Sequence, residues 1–268
     1  MRERFGMSHK SVNLGGHNLH YLESSHGEIP LVFIHGLLDS SFGFRKLIQH
    51  IPREYRVFIL DIPGFGKSRM PHVKYLYQVD IFADLVYEAL LHMQLDNVVM
   101  AGHSMGGLIT AHMAANDRLN IIRKIILIST TVDPHPERDQ MRKLLFPATE
   151  EEITGLLKFL YYENFPEPNQ LLKNALVHLC NSPPYQYLAD NTIAREKEIF
   201  FGNVCKNIKI PALVIAGEND TITTPAMMKK LKGYLKQGKL VLVPNARHAV
   251  HMEKPHDLAK EIANFMKV

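Results

Sequence analysis

The sequence predicts an α/β fold with a mostly parallel sheet covered by helices. Three observations carry that reading. Short apolar runs recur along the chain, each followed by a helical pattern. The runs are apolar at successive positions rather than alternating, as in strands buried on both faces. One run gives way to helix formers across a serine set between glycines, which demands a sharp turn. At 268 residues and 46% hydrophobic, the chain can form one large domain with a sizeable core, so disordered and fibrous classes are excluded.

Taken in order, residues 11–13 and 17–23 alternate around Gly15-Gly16, a spacing that predicts a β-hairpin. Apolar strands follow at 31–34, 57–60, 98–100, 125–128, 213–215 and 240–243. Between Tyr75 and Met93 the residues Phe82, Leu85, Ala89 and Met93 recur at helical spacing. Pro255 followed by Leu258, Ile262 and Phe265 predicts a last amphipathic helix with proline in its first turn. The alternation breaks once, where Phe165-Pro166-Glu167-Pro168 and Pro183-Pro184-Tyr185 interrupt short helical stretches such as 153–161. An insertion of that length predicts a small helical cap over 133–207, set into a core of residues 1–132 and 208–268.

Charge and cysteine usage narrow the partners. The formal charge is +4, but the basic residues are scattered, and Lys229, Lys230, Lys232 and Lys236 have the spacing of a wetted helix face. No basic patch is interleaved with aromatics, so a nucleic-acid partner is not expected. Two cysteines, Cys180 and Cys205, make neither a disulfide framework nor a zinc site of the usual spacing; they read as reduced packing residues and predict a cytoplasmic protein. The start MRERFGMSHK has charge without the apolar stretch of a signal peptide, and nowhere do about 18 apolar residues run together, so membrane insertion is not expected. With no heptad pattern, a monomer is the default.

The chemistry centres on VVMAGHSMGGLITAHMAAN, residues 98–116. Here Ser104 sits on the strand-to-helix turn, with Gly102 and Gly106 as the small neighbours that such a turn requires. The plainer use of a serine at this boundary is a helix N-cap, which does not need glycines on both sides. A serine hydroxyl becomes a nucleophile when a base takes its proton and an acid orients the base. His248 falls between the last apolar strand and the last helix and supplies the base. His251, three residues on, reads as a satisfied structural histidine. Asp220, after the strand at 213–215, supplies the acid, with Asp133 as its competitor. The oxyanion formed on attack needs N–H donors. Met105, opening the next helix, and Leu37, in His35-Gly36-Leu37 after the first parallel strand, are the candidates; Gly36 allows a close backbone approach.

With these residues assembled, the chain resembles the α/β-hydrolase family. The resemblance rests on His35-Gly36, on residues 61–68 (the D-x-P-G-x-G-x-S loop), on Gly102 to Gly106, on Gly217 to Asp220, and on His248 with Glu253 and Pro255. It implies a sheet of about eight strands, a Ser104-His248-Asp220 triad and a cap over an acyl pocket. Ser104 stands where similar epoxide hydrolases and haloalkane dehalogenases carry aspartate, which disfavours those activities. The family's carbon–carbon hydrolases tend to have asparagine before the serine and tryptophan after the histidine, where this chain has His103 and Ala249.

The expected function is therefore cleavage of carboxylic esters or thioesters of small to medium acyl groups through an acyl-enzyme, without metal or other cofactor. A carbon–carbon hydrolase or perhydrolase on the same triad, or a ligand-binding receptor of little turnover, are the alternatives. Leu156, Leu157, Phe159, Leu160 and Tyr161 form either an acyl lining or the cap's own core. Arg195, flanked by Glu196 and Glu198, reads as a surface ion pair rather than a carboxylate clamp.

Overall fold

The computed structural model describes residues 6–162, 167–200 and 202–267. Among them, the strands are β1 (Met7–Leu14), β2 (His17–Ser24), β3 (Ile29–Ile34), β4 (Tyr55–Leu60), β5 (Val98–His103), β6 (Ile122–Ile128), β7 (Ala212–Gly217) and β8 (Gly238–Val243). They form one eight-stranded sheet in the order β1-β2-β4-β3-β5-β6-β7-β8. The pairs β1–β2 and β2–β4 are antiparallel and all others are parallel. Gly15 and Gly16, at φ +62° and +102°, supply the two left-handed positions of the hairpin turn between Leu14 and its partner His17.

The longer helices are α1 (Val79–His92), α2 (Met105–Ala115), α3 (Arg138–Leu145), α4 (Glu150–Leu160), α5 (Gln170–Cys180), α6 (Pro183–Ala194), α7 (Pro225–Tyr234) and α8 (Pro255–Met266). The continuous apolar runs have the predicted cause, because alternate residues of one strand serve opposite faces. Val32 and Ile34 of β3 join one core with Phe82 of α1, Ile109 of α2 and Met228 of α7. Leu31 and Phe33 join the other with Phe44, Leu258 and Ile262.

Helix starts follow local chemistry. The helix expected from Tyr75 begins at Val79, because a 3₁₀ turn over Lys74–Leu76 and an extended Gln78 precede it. At α4, Thr149 and Glu152 form a reciprocal capping box. Pro183 and Pro184 correct the sequence expectation: they open α6, where their missing N–H groups cost nothing, instead of interrupting a helix. Phe165 and Pro166 of the other proline-rich stretch lie outside the described residues. Helices α3 to α6 all fall between β6 and β7 in the chain.

Candidate active site

β5 ends at His103, and Ser104 takes φ +53° and ψ −119° before α2 begins at Met105. That conformation is sparsely populated for a residue with a side chain and is held by its surroundings. A Cβ at Gly102 would lie 2.1 Å from the Gly106 carbonyl oxygen, and one at Gly106 would lie 2.3 Å from that of Ile34. Both positions therefore require glycine. Ser104 stands at the N-cap position, yet its side chain makes no capping bond. Its Oγ instead lies 2.9 Å from Nε2 of His248. The Ser104 N–H donates to the Ile128 carbonyl at 2.9 Å, and Thr130 Oγ1 donates to the Ser104 carbonyl at 2.7 Å.

His248 and Asp220 are each 2% exposed, and His248 Nδ1 lies 3.0 Å from Asp220 Oδ2. The carboxylate also accepts from the Ile222 and Thr223 N–H groups at 2.8 and 3.0 Å, and from Thr223 Oγ1 at 2.6 Å. Burial works to raise the Asp220 pKa, but the adjacent His248 ring and the Thr223 donors outweigh it and hold the group below its usual range. Asp133 is not brought to this site; it meets Lys230 Nζ at 3.1 Å and the Tyr234 hydroxyl at 3.2 Å.

Histidines back the elbow. His103 donates from Nε2 to the His248 carbonyl at 2.9 Å. Its Nδ1 is buried without a partner among the described residues, and burial, followed by neighbouring His251 and His248, pushes the ring well below the ordinary histidine pKa of 6.5. His103 is neutral as a result. His251 is buried with its ring centroid 4.2 Å from that of His103. It meets the expectation of a satisfied histidine only in part: Nε2 faces the Asp39 carboxylate at 3.4 Å, within ion-pair distance, while neither ring nitrogen makes a well-aligned hydrogen bond among the described residues.

The loop after β3 approaches the elbow so closely that a Cβ on Gly36 would lie 3.0 Å from that of Ser104. His35 Nε2 accepts from the Ile62 N–H at 3.0 Å, and its Nδ1 meets the Gly36 carbonyl at 2.8 Å. Only the neutral Nδ1–H tautomer satisfies both contacts. His35 thereby ties the Gly36-Leu37 loop to the loop carrying Asp61. The Leu37 and Met105 N–H groups have no acceptor among the described residues, and both residues line the same cavity as Ser104.

That cavity measures about 430 Å³. Its wall comes largely from Met141, Leu145 and Phe146 in and just after α3, Leu188 of α6, and Phe200. Leu156, Leu157, Phe159, Leu160 and Tyr161 do not line it, which corrects the acyl-lining alternative; Leu156 is 2% exposed. Arg195 is held by Asp80 at 3.0 and 2.8 Å and by Glu198 at 2.7 Å, whereas Glu196 pairs with Arg138 at 3.1 Å. Thr130, Thr223 and the α3 wall carried no motif in the sequence. Among the described residues, no group of three His, Cys, Asp or Glu side chains is arranged to hold a metal ion, and no helix is long and apolar enough to cross a membrane.

An eight-stranded, mostly parallel sheet with a serine elbow after β5 defines the class of α/β hydrolases. The chain belongs to that family, whose model, described as alpha/beta hydrolase fold, matches residues 29–160 and 161–255. It is 29% identical to an uncharacterized hydrolase, YugF, of Bacillus subtilis, over 96% of this chain and 97% of that one. It is 26% identical to an (E)-2-((N-methylformamido)methylene)succinate hydrolase of Acinetobacter baylyi, over 92% and 94% of the two chains. Among solved structures, a putative lipase of Acinetobacter baumannii superposes with a TM-score of 0.86 at 23% identity, over 99% of this chain and 93% of that chain.

Proposed function

We propose that the protein hydrolyses carboxylic esters or thioesters of small to medium acyl groups through an acyl-enzyme. The observation that carries this reading is the run of contacts from Ser104 Oγ to His248 Nε2 at 2.9 Å and from His248 Nδ1 to Asp220 Oδ2 at 3.0 Å, at the floor of a largely apolar cavity. Ser104 attacks the carbonyl carbon as His248 takes its proton. Asp220 fixes the Nδ1–H tautomer and stabilises the imidazolium. The Leu37 and Met105 amides bind the oxyanion, the latter helped by the positive end of α2. His248 then protonates the leaving oxygen or sulfur, and water, activated by the same base, releases the acid. Residues 133–207 act as the cap that walls the acyl site, on a core of residues 1–132 and 208–268. The substrate is a small molecule, the protein works as a cytoplasmic monomer, and the chemistry needs no cofactor.

A second reading, carbon–carbon hydrolysis of an acidic substrate, is favoured by a 24% identical relative, a 2-hydroxy-6-oxo-6-(2'-aminophenyl)hexa-2,4-dienoic acid hydrolase of Metapseudomonas resinovorans. A substrate carboxylate needs a free cation, and Arg195 and Arg138 are already paired. Arg142 lines the cavity with no ion pair among the described residues, so it is the cation such a substrate would meet. The deciding experiment treats the protein with a fluorophosphonate and maps the adduct by mass spectrometry, alongside turnover of nitrophenyl esters, acyl thioesters and dienone acids. An adduct on Ser104 with ester or thioester turnover is expected; dienone cleavage without ester turnover would overturn the ester reading, and saturable binding without turnover would favour a receptor.

A further inference from the structure

The hydroxyl of Tyr185, on α6 of the inserted segment, accepts the backbone N–H of Leu38. Tyr185 is 1% exposed, and its ring is gripped edge-on by Phe65 at 5.4 Å and by Phe146, a cavity-wall residue, at 6.4 Å. Leu38 has φ +59°, a conformation that a branched side chain does not adopt unaided. It directly follows Leu37, whose free N–H lies on the cavity beside Ser104. A residue held in a left-handed conformation fixes the peptide plane before it, and that plane carries the Leu37 carbonyl and the Leu38 amide. The Leu37 N–H belongs to the plane before that one, whose Gly36 carbonyl meets His35 Nδ1 at 2.8 Å; released from Tyr185, Leu38 can relax toward negative φ, and the Leu37 dihedrals that join the two planes are then free to turn that N–H.

We infer that Tyr185 is a positioning residue for the reaction: a phenol supplied by the inserted helices that locks the Leu37–Leu38 turn, so that the Leu37 N–H points to where the oxyanion develops. This rests on the hydrolytic reading above. His35 braces the same loop from the sheet side through Gly36, and Tyr185 braces it from above, so the two anchors grip opposite ends of a three-residue segment. Burial drives the Tyr185 phenol well above its ordinary pKa of 10, so the anchor stays neutral throughout the pH range in which an ester hydrolase works. Because Phe146 touches both the cavity and the Tyr185 ring, acyl groups that fill the cavity press on the residue that aligns the oxyanion donor.

Tyr185→Phe removes one oxygen and keeps the packing. On nitrophenyl esters, kcat should fall about 10- to 100-fold with KM within about twofold, the signature of a contact felt in the transition state. Binding of a trifluoromethyl ketone, which forms an anionic tetrahedral adduct with the serine, should weaken by the same factor. The acid limb of the pH–rate profile should not move. Independently, hydrogen exchange at the Leu38 amide should accelerate at least tenfold in the variant, while the β5 amides stay protected. A kcat within twofold of the parent, or a loss confined to KM, would overturn the assignment, as would unchanged exchange at Leu38. A parent protein without ester turnover would instead overturn the hydrolytic reading, and the Leu38 exchange would then decide the Tyr185 contact separately.

Discussion

Thr223 donates its hydroxyl to Asp220 Oδ2 at 2.6 Å, the same oxygen that faces His248 Nδ1 at 3.0 Å. With Oδ1 taken by two backbone N–H groups, the carboxylate cannot rotate, and its one well-aimed oxygen holds the imidazole. Asp220→Asn keeps the shape but offers an N–H where an acceptor is needed, favouring the wrong tautomer of His248. Its kcat on a nitrophenyl ester should fall by about three to four powers of ten. Asp133→Asn should stay within about twofold, since Asp133 is engaged by Lys230 and Tyr234. A large loss in Asp133→Asn with none in Asp220→Asn would reverse the assignment of the acid.

His103 makes stability depend on pH. Its folded pKa lies well below the unfolded value of about 6.5, so between the two the unfolded chain binds a proton that the folded one refuses. Stability from this group is therefore full above pH 6.5 and is lost as pH falls below it. The loss grows as pH falls below 6.5, for as long as the folded ring stays neutral, with a limiting slope of about 1.36 kcal/mol per pH unit. His103→Gln retains a side-chain N–H for the His248 carbonyl and removes the titration. Urea denaturation on lowering the pH from neutral to below 6.5 should show the variant losing less stability than the parent; parallel losses would refute the account.

Much of this was legible in the sequence, for physical reasons that differ by region. The strands were readable because burial on both faces forces residues such as Leu31, Val32, Phe33 and Ile34 to be apolar one after another. Ser104, His248 and Asp220 were readable because the serine turn demands glycines and the other two follow strand ends. Thr223 and Tyr185 were not, because a hydroxyl that braces a loop leaves no periodicity or spacing behind. The cavity wall was misjudged for a related reason: α3 carries its cavity-facing Met141 and Leu145 within a polar stretch, whereas the more apolar α4 faces other residues of the chain. His251 was read as satisfied, and nothing in a single sequence reveals that its partner Asp39 stands just beyond good hydrogen-bond geometry.

The elbow stores strain that can be released. Ser104 at φ +53° and ψ −119° stands in a backbone state that costs of order 1–3 kcal/mol. Glycine adopts that state freely but loses more chain entropy on folding, about 0.5–1 kcal/mol. Ser104→Gly should therefore gain ~1 kcal/mol in unfolding free energy while ester hydrolysis falls by at least about three powers of ten. Ser104→Ala keeps the Cβ and the strain, so it should lose the same activity without the gain. Equal stability of the two variants in chemical denaturation would show that the elbow is not strained in solution.

Glu253 couples the His248 loop to the end of α4, and its removal should separate packing from turnover. One carboxylate oxygen accepts the Arg247 N–H at 2.8 Å, immediately before His248, and the other accepts the Tyr162 N–H at 2.6 Å, just past α4. The Ala249 N–H donates to the Leu160 carbonyl at 2.9 Å, so the residues on both sides of His248 are tied to the end of one helix. Glu253→Ala leaves two part-buried N–H groups unpaired, at about 1–3 kcal/mol for each that water does not reach. Glu253→Gln keeps one acceptor oxygen and should recover about half of that loss. Because His248 follows Arg247, kcat should fall roughly tenfold in the alanine variant and less in the glutamine one, with the Ser104 fluorophosphonate rate declining in step. A variant destabilised in denaturation but unchanged in its labelling rate would show that the His248 loop keeps its geometry without the helix, and the coupling would fail.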